Sequence, residues 1–251
     1  MPNRLDTHSS TAPHEVREFL GISFDLAPKS YWQELYLRAS RDPLRYLVTP
    51  NVDHIVRLSK DSAVAELYRA AAWRVCDSRI LDRLARGRGF DLAPYPGSDL
   101  TADLLNDPRA RALTIGVIGP DRAHYDRLTA LYPSLTLRFI NTPFMSRGSV
   151  EWNHTLEAAE TADCDLLLIC ISFPKQEFFA YDLAKRGRAR GIALCVGASL
   201  DFLTGTQKRA PLWMQKSSLE WAHRLASNPA RLWKRYLIDG PRIFYLYVKS
   251  R

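Results

Sequence analysis

The chain has 251 residues, 46% of them hydrophobic and 25% charged, the balance of a soluble globular protein with a full core. Its longest apolar run, Leu166 to Phe173, is interrupted by Ser172 and falls far short of the ~20 residues that a spanning helix needs. The net charge of +8 sits wholly in the tail: Thr206 to Arg251 holds ten basic residues opposed only by Glu220 and Asp239, so residues 1–205 are neutral.

Met1 to His14 is polar, without the apolar stretch of a signal peptide, and reads as a disordered leader (1–14). Leu20 to Phe24 predicts a short strand, and Tyr31 to Ala39 a helix. Arg45 to Thr49 predicts a strand that ends in the loop Thr49-Pro50-Asn51. The spacing of Ile55, Leu58, Val64, Leu67, Tyr68 and Ala71 predicts one helix over Val52 to Ala72. Trp73 to Cys76 follows as a short strand, with Asp77 opening the loop after it. The Arg-, Gly- and Pro-rich stretch Arg83 to Pro96 predicts a loop, and Ser98 a cap for a helix over Asp99 to Leu105.

Leu113 to Ile118 predicts a strand running into Gly119-Pro120, followed by a helix over Arg122 to Tyr132 and a strand over Leu135 to Ile140. A helix over Val150 to Ala162 leads to the apolar strand Leu166 to Ile171, with Pro174-Lys175-Gln176-Glu177 beyond its end. A helix over Glu177 to Arg188, a strand over Ile192 to Val196 and the turn Gly197-Ala198-Ser199 complete the pattern. Buried-type strands alternating with helices predict an α/β fold over 15–205: a compact, mostly parallel sheet with flanking helices, a Rossmann-like core. Ligands of such sheets bind beyond the carboxyl ends of the strands. Thr49 to Asn51, Asp77, Gly119, Pro174 to Glu177 and Gly197 to Asp201 all fall there. After Gly205 the apolar spacing turns helical, punctuated by Asn228-Pro229 and Gly240-Pro241, and predicts a helical basic C-terminal appendage over 206–251.

Cys76, Cys164, Cys170 and Cys195 form no CxxC pair, and the six histidines show no metal-ligand spacing, so the thiols read as reduced core residues and neither metal nor cofactor is expected. Gly116-Val-Ile-Gly119 lacks the third glycine of a dinucleotide fingerprint, and there is no Walker A loop. Gly119 and Gly197 each read either as a tight turn or as a backbone amide that approaches a diphosphate. His54 reads as a helix-surface residue, with proton transfer as the sharper alternative. Asp77 alone reads as a cap or a base, and Thr49-Pro50-Asn51 as a turn or a binding loop. In the tail, the basic residues are interleaved with Trp213, Trp221, Trp233, Tyr236, Phe244, Tyr245 and Tyr247. That mixture suits an anionic membrane leaflet better than nucleic acid; a solvated basic helix with a buried aromatic stripe is the plainer reading.

One ordered set is more specific than any of these motifs. Thr49-Pro-Asn51, Asp77, Pro96-Gly-Ser-Asp-Leu100, Pro174-Lys-Gln-Glu177, Val196 to Gly205, Arg209-Ala-Pro211, Leu219-Glu-Trp221, Arg224-Leu225 and Arg231, in that order, resemble the bacterial WecG/TagA/CpsF family of glycosyltransferases. The resemblance runs from about residue 20 to 240, weakest over 78–95 and strongest from Leu166 to Arg235. It implies an inverting transferase that moves a sugar from a UDP donor to a polyprenyl-diphosphate-linked saccharide, for cell-surface polysaccharide synthesis. The enzyme would be cytoplasmic and peripheral on the inner membrane face, with a C-terminal appendage that engages lipid and completes the active site.

The resemblance also implies roles. Asp77 would be the base, with Thr49 and Asn51 bonding the sugar or the acceptor. Gln176 and Glu177 would contact uridine or sugar, beyond Pro174, which turns the chain out of its strand so that a helix N-terminus favours phosphate. Asp201 would bind ribose or cap a helix. Arg209, Arg224 and Arg231 would meet the diphosphate of the leaving group or of the lipid; each singly reads equally as a solvated basic face. The chain departs from the family at Ser78 and Ser172, where glycine is usual, and at Tyr95-Pro96, where an arginine is usual and Arg83, Arg86 or Arg88 is the expected substitute. The donor stays open among N-acetylmannosamine, its uronic acid and glucuronic acid. The competing reading is a non-catalytic basic module for anionic lipid or nucleic acid, and a homo-oligomer is compatible with apolar residues in the tail.

Overall fold

The computed structural model describes residues 14–38 and 42–250; the leader expected over 1–14 lies outside the described residues, His14 apart. β1 (Glu15–Phe19) and β2 (Ile22–Leu26) pair as an antiparallel hairpin through Leu20-Gly21, so the strand expected over 20–24 is a turn and the start of β2. The chain continues through α1 (Lys29–Tyr36), β3 (Arg45–Val48), α2 (Val52–Leu58), α3 (Ser62–Ala70), β4 (Trp73–Arg74), α4 (Arg79–Arg86) and α5 (Gly97–Asn106). It then alternates β5 (Thr114–Ile118), α6 (Arg122–Leu131), β6 (Thr136–Ile140), α7 (Val150–Thr161), β7 (Leu166–Ile169), α8 (Lys175–Arg186) and β8 (Ile192–Cys195). The C-terminal segment holds α9 (Ser199–Leu203), α10 (Leu212–Lys216), α11 (Glu220–Ser227), α12 (Pro229–Trp233), a π-helical turn (Lys234–Asp239) and α13 (Arg242–Lys249).

Three expectations are corrected. The helix expected over 52–72 is two, because the Asp61 carboxylate accepts the N–H groups of Ala63 and Val64 and starts a new helix there. The loop expected over 83–96 begins only after Arg86: residues 83–86 belong to α4, which Ser78 caps through the N–H of Leu81 and which buries Leu81, Asp82 and Ala85. Ser98 is no cap: α5 starts at Gly97, directly after Pro96.

Six parallel strands form the main sheet in the order β4-β3-β8-β7-β5-β6. Side chains alternate across it with the period of two that strands impose. Tyr46, Val48, Leu167, Ile169, Ala193 and Cys195 enter the core on one face, with residues of α2, α3, α7, α8 and the hairpin. Leu47, Leu166, Leu168, Ile192 and Leu194 enter the other, with α1, α5 and α6. β7 and β8 are buried along their whole length, as a sheet covered on both faces requires. Register pairs Val48 with Cys195, Cys195 with Ile169 and Ile169 with Ile118, so four strands end level and their loops open on one edge.

The C-terminal segment packs against this body. Ile243 of α13 is buried in the core, and the Tyr247 ring meets Phe19 edge-on. The Arg88 guanidinium lies 4.5 Å from the centroid of the Tyr247 ring and donates to the carbonyls of Tyr247 and Ser250.

Candidate active site

Asp77 lies just past β4, where its N–H still reaches the Pro50 carbonyl at 3.0 Å. Its Oδ1 accepts the Gly97 N–H at 3.0 Å, and the Asn51 amide donates to its Oδ2 at 3.5 Å. The Asn51 oxygen meanwhile caps α2 by accepting the N–H groups of Asp53 and His54 at 3.1 and 3.3 Å. One amide thus starts a helix and orients a carboxylate. Thr49 is buried beside them, its hydroxyl donating to the Cys195 carbonyl at 3.0 Å. Burial pushes the Asp77 carboxyl up to about 6, against the lowering pull of Arg224, of the Gly97 N–H and of Asn51.

Asp77 faces a cavity of about 400 Å³. Asn51, Ser78, Arg79, Pro96 and Ser98 line it from the body; Phe202, Arg209, Trp221, Arg224, Arg235, Tyr236 and Phe244 line it from the C-terminal segment. The structure therefore brings Asp77, Asn51, Arg209 and Arg224 together across more than a hundred residues of sequence. Arg209 pairs with Asp99 of α5 at 2.5 Å, Arg235 with Asp53 of α2 at 3.2 Å, and Arg224 lies over the Phe202 ring at 5.1 Å. Arg231 is exposed on α12 and does not line the cavity. Nor do the arginines expected to stand in near Tyr95: Arg86 pairs with Asp82 and Asp91, Arg88 holds the tail, and Arg83 is exposed outside it.

Gln176 and Glu177 are buried and do not line the cavity that Asp77 faces. The Gly197 N–H donates to Gln176 Oε1 at 2.8 Å, and Gln176 Nε2 donates to Glu177 Oε1 at 2.8 Å. The Tyr68 hydroxyl also donates to Glu177 Oε1, at 3.2 Å, and lies 2.8 Å from His54 Nδ1. Burial pushes Glu177 up to about 7 and His54 down to about 3. His54, expected on a helix surface, is instead buried and stacked on Phe173 at 4.0 Å. Its partners come from α3 and from the loop after β7, which local spacing does not reveal.

Farther along the sheet edge, Gly119 has φ +117, and a Cβ there would sit 2.6 Å from the Cys170 carbonyl. Its N–H donates to the Thr142 hydroxyl at 3.0 Å. Pro174 stands at the start of α8, and Gly197 turns the chain into α9 with φ +55. Asp201 in α9 is half-buried and accepts from Gln207 Nε2 at 3.1 Å without capping the helix. Trp221 and Tyr236, expected on a lipid face with the other tail aromatics, turn into the cavity. Among the described residues no group of three or more His, Cys, Asp or Glu is placed to hold a metal ion, and no helix is long and apolar enough to cross a membrane.

Fold and site together define an α/β protein whose strand-end carboxylate is enclosed by a basic, aromatic C-terminal segment. The chain matches the Glycosyl transferase WecG/TagA/CpsF family over residues 17–251 and belongs to that family. It is similar to the N-acetylglucosaminyldiphosphoundecaprenol N-acetyl-beta-D-mannosaminyltransferase of Bacillus subtilis (strain 168), with 29% identity over 170 residues, 65% of this chain and 59% of the relative. A protein of the same name from Bacillus spizizenii (strain ATCC 23059 / NRRL B-14472 / W23) is 37% identical over 73 residues, 29% of this chain and 28% of the relative. The matched stretch spans less than two thirds of either relative's own length.

Proposed function

We propose that the protein is an inverting glycosyltransferase that moves a sugar from a UDP donor to a polyprenyl-diphosphate-linked saccharide. The observation that carries this reading is Asp77, fixed by Gly97 and Asn51 at the wall of a cavity that cationic side chains enclose. The acceptor hydroxyl gives its proton to Asp77 as its oxygen bonds to the anomeric carbon, while the bond from that carbon to the UDP oxygen breaks on the opposite face. A carboxyl held near 6 is ionised at neutral pH yet more basic than an ordinary aspartate, as a general base should be. Arg209 and Arg224 offer charge to the departing diphosphate.

The nucleotide is assigned to the strand-end edge running past Gly119, Pro174 and Gly197. Support comes from topology: β5 leads outward to β6 while β7 leads back to β8, and ligands of parallel sheets sit where connections diverge. Gln176 then acts by bracing the Gly197 turn. The activity for which the two Bacillus relatives are named favours an N-acetylmannosamine donor sugar and an N-acetylglucosaminyl-diphospholipid acceptor. Exposed Trp213, Trp233, Leu237, Phe244, Tyr245 and Val248, among Lys234, Arg242 and Lys249, support docking on the anionic inner face of the membrane.

The test is UDP release across a panel of UDP-hexosamines and UDP-uronic acids with a synthetic prenyl-diphosphate N-acetylglucosamine. Release should require that acceptor, and Asp77→Asn should abolish it with folding intact. Full activity in that variant removes Asp77 as the base. Oligonucleotide binding with no affinity for UDP would favour the non-catalytic reading instead.

A further inference from the structure

We propose that Arg79 is an anion-binding residue whose guanidinium receives a diphosphate oxyanion beside Asp77; this rests on, and deepens, the transferase reading. Arg79 is the first residue of α4, two positions after Asp77 and directly after the capping Ser78. The first turn of a helix favours negative side chains, because the backbone N–H groups there carry partial positive charge. A cation at that position is not explained by the helix it begins.

Its surroundings within the protein do not explain it either. Arg79 lines the cavity, yet its Nε is buried without a hydrogen-bond partner, and no carboxylate pairs with its guanidinium among the described residues. The other cavity arginines each have a partner within the protein. Arg209 and Arg235 face Asp99 and Asp53, and Arg224 covers the Phe202 ring. Those three arrive with the C-terminal segment, whereas Arg79 belongs to the body and is fixed next to Asp77 by the α4 cap. A half-buried, unpaired cation is costly until an anion compensates it. A guanidinium does so for phosphate through two parallel N–H bonds, which an ammonium cannot reproduce. Two ligands of the proposed reaction carry the same diphosphate chemistry, the UDP donor and the lipid-linked acceptor.

The experiment uses the full chain and its Arg79→Gln and Arg79→Lys variants, with thermal unfolding confirming that each is folded. Calorimetry would measure the affinities of UDP, UMP and inorganic pyrophosphate, and steady-state kinetics the KM of a short-chain prenyl-diphosphate saccharide. Arg79→Gln should weaken pyrophosphate, and at least one of the two diphosphate ligands, by about tenfold or more. UMP should be affected less, and Arg79→Lys should recover part of the loss. A loss confined to UDP assigns the donor diphosphate, and a loss confined to the lipid substrate assigns the acceptor; either upholds the inference. Wild-type affinities for all of them in a folded Arg79→Gln protein overturn it, and if that variant does not fold, wild-type values in Arg79→Lys do the same. If pyrophosphate binding depends on Arg79 but no sugar is transferred, the anion site stands and the transferase reading falls. If sugar transfer and every affinity are indifferent to Arg79, the transferase reading stands and the anion site falls.

Discussion

Asp77 owes its basicity to opposed influences that can be removed one at a time. Burial raises its pKa to about 6, while Arg224, the Gly97 N–H and the Asn51 amide pull it down. The base works ionised, so kcat/KM should fall as pH drops through about 6. Asn51→Ala deletes one lowering contact, so the acidic limb should move to higher pH. The same change removes the cap of α2, at a cost of about 1 kcal/mol in denaturant unfolding. An unmoved limb would show that the Asn51 contact leaves the base untouched. The buried His54, Tyr68 and Glu177 chain gives a second pH signature. Glu177 is raised from 4.5 to about 7, so its contribution to stability is complete below about 4.5 and is lost as pH rises through 7. His54 is lowered from 6.5 to about 3, so its contribution is present above 6.5 and is lost as pH falls toward 3. Glu177→Gln should flatten the decline in unfolding free energy between about pH 4.5 and 7 and leave the acid side unchanged.

At the scale of elements, cap chemistry decided where expectations held. Asn51, Asp61, Ser78, Asp121 and Ser149 each start a helix through a side-chain acceptor, and a helix boundary set this way is a local event. Asp61 was present in the sequence as a cap, but the unbroken apolar spacing of 52–72 concealed it. Arg83 and Arg86 made the end of α4 resemble the loop that follows it over 87–96, although Ala85 lies on the buried face of that helix. The β5 turn carries a sharper constraint. Gly119→Ala would place a Cβ 2.6 Å from the Cys170 carbonyl at a φ of +117, so neighbouring strand ends must separate. A loss of about 1–3 kcal/mol in unfolding free energy is expected, together with weaker UDP binding. A variant as stable as the parent would mean that this edge yields more easily than the packing implies.

The C-terminal segment links the cavity to the proposed lipid surface at the scale of the whole molecule. It is held by Ile243 in the core, by Arg88 on Tyr247, and by an ion pair of 3.2 Å between Lys60 and Asp239. Truncating Ile243 to Ala should cost the docked segment about 2–4 kcal/mol. Limited proteolysis should then cut the tail ahead of the α/β body, and UDP release should fall although Asp77 is unaltered. Equal protease resistance in parent and variant would refute this anchoring role. Binding to anionic vesicles should weaken as salt rises, because part of it comes from the basic residues of the tail.

Strand and helix order, the parallel sheet and the row of strand-end loops could be read from the chain alone, because periods of 2 and 3.6 and turn residues act over a few neighbours. The place of Asp77 at a strand end was legible for the same reason. Charge pairing was not, since it depends on residues far apart in sequence: Arg209 meets Asp99, Arg88 meets Tyr247, and Arg79 meets no carboxylate among the described residues. Tertiary structure likewise turned Gln176 and Glu177 into an internal brace and drew Trp221 and Tyr236 into the cavity, because burial and long-range hydrogen bonds outweigh local preference there.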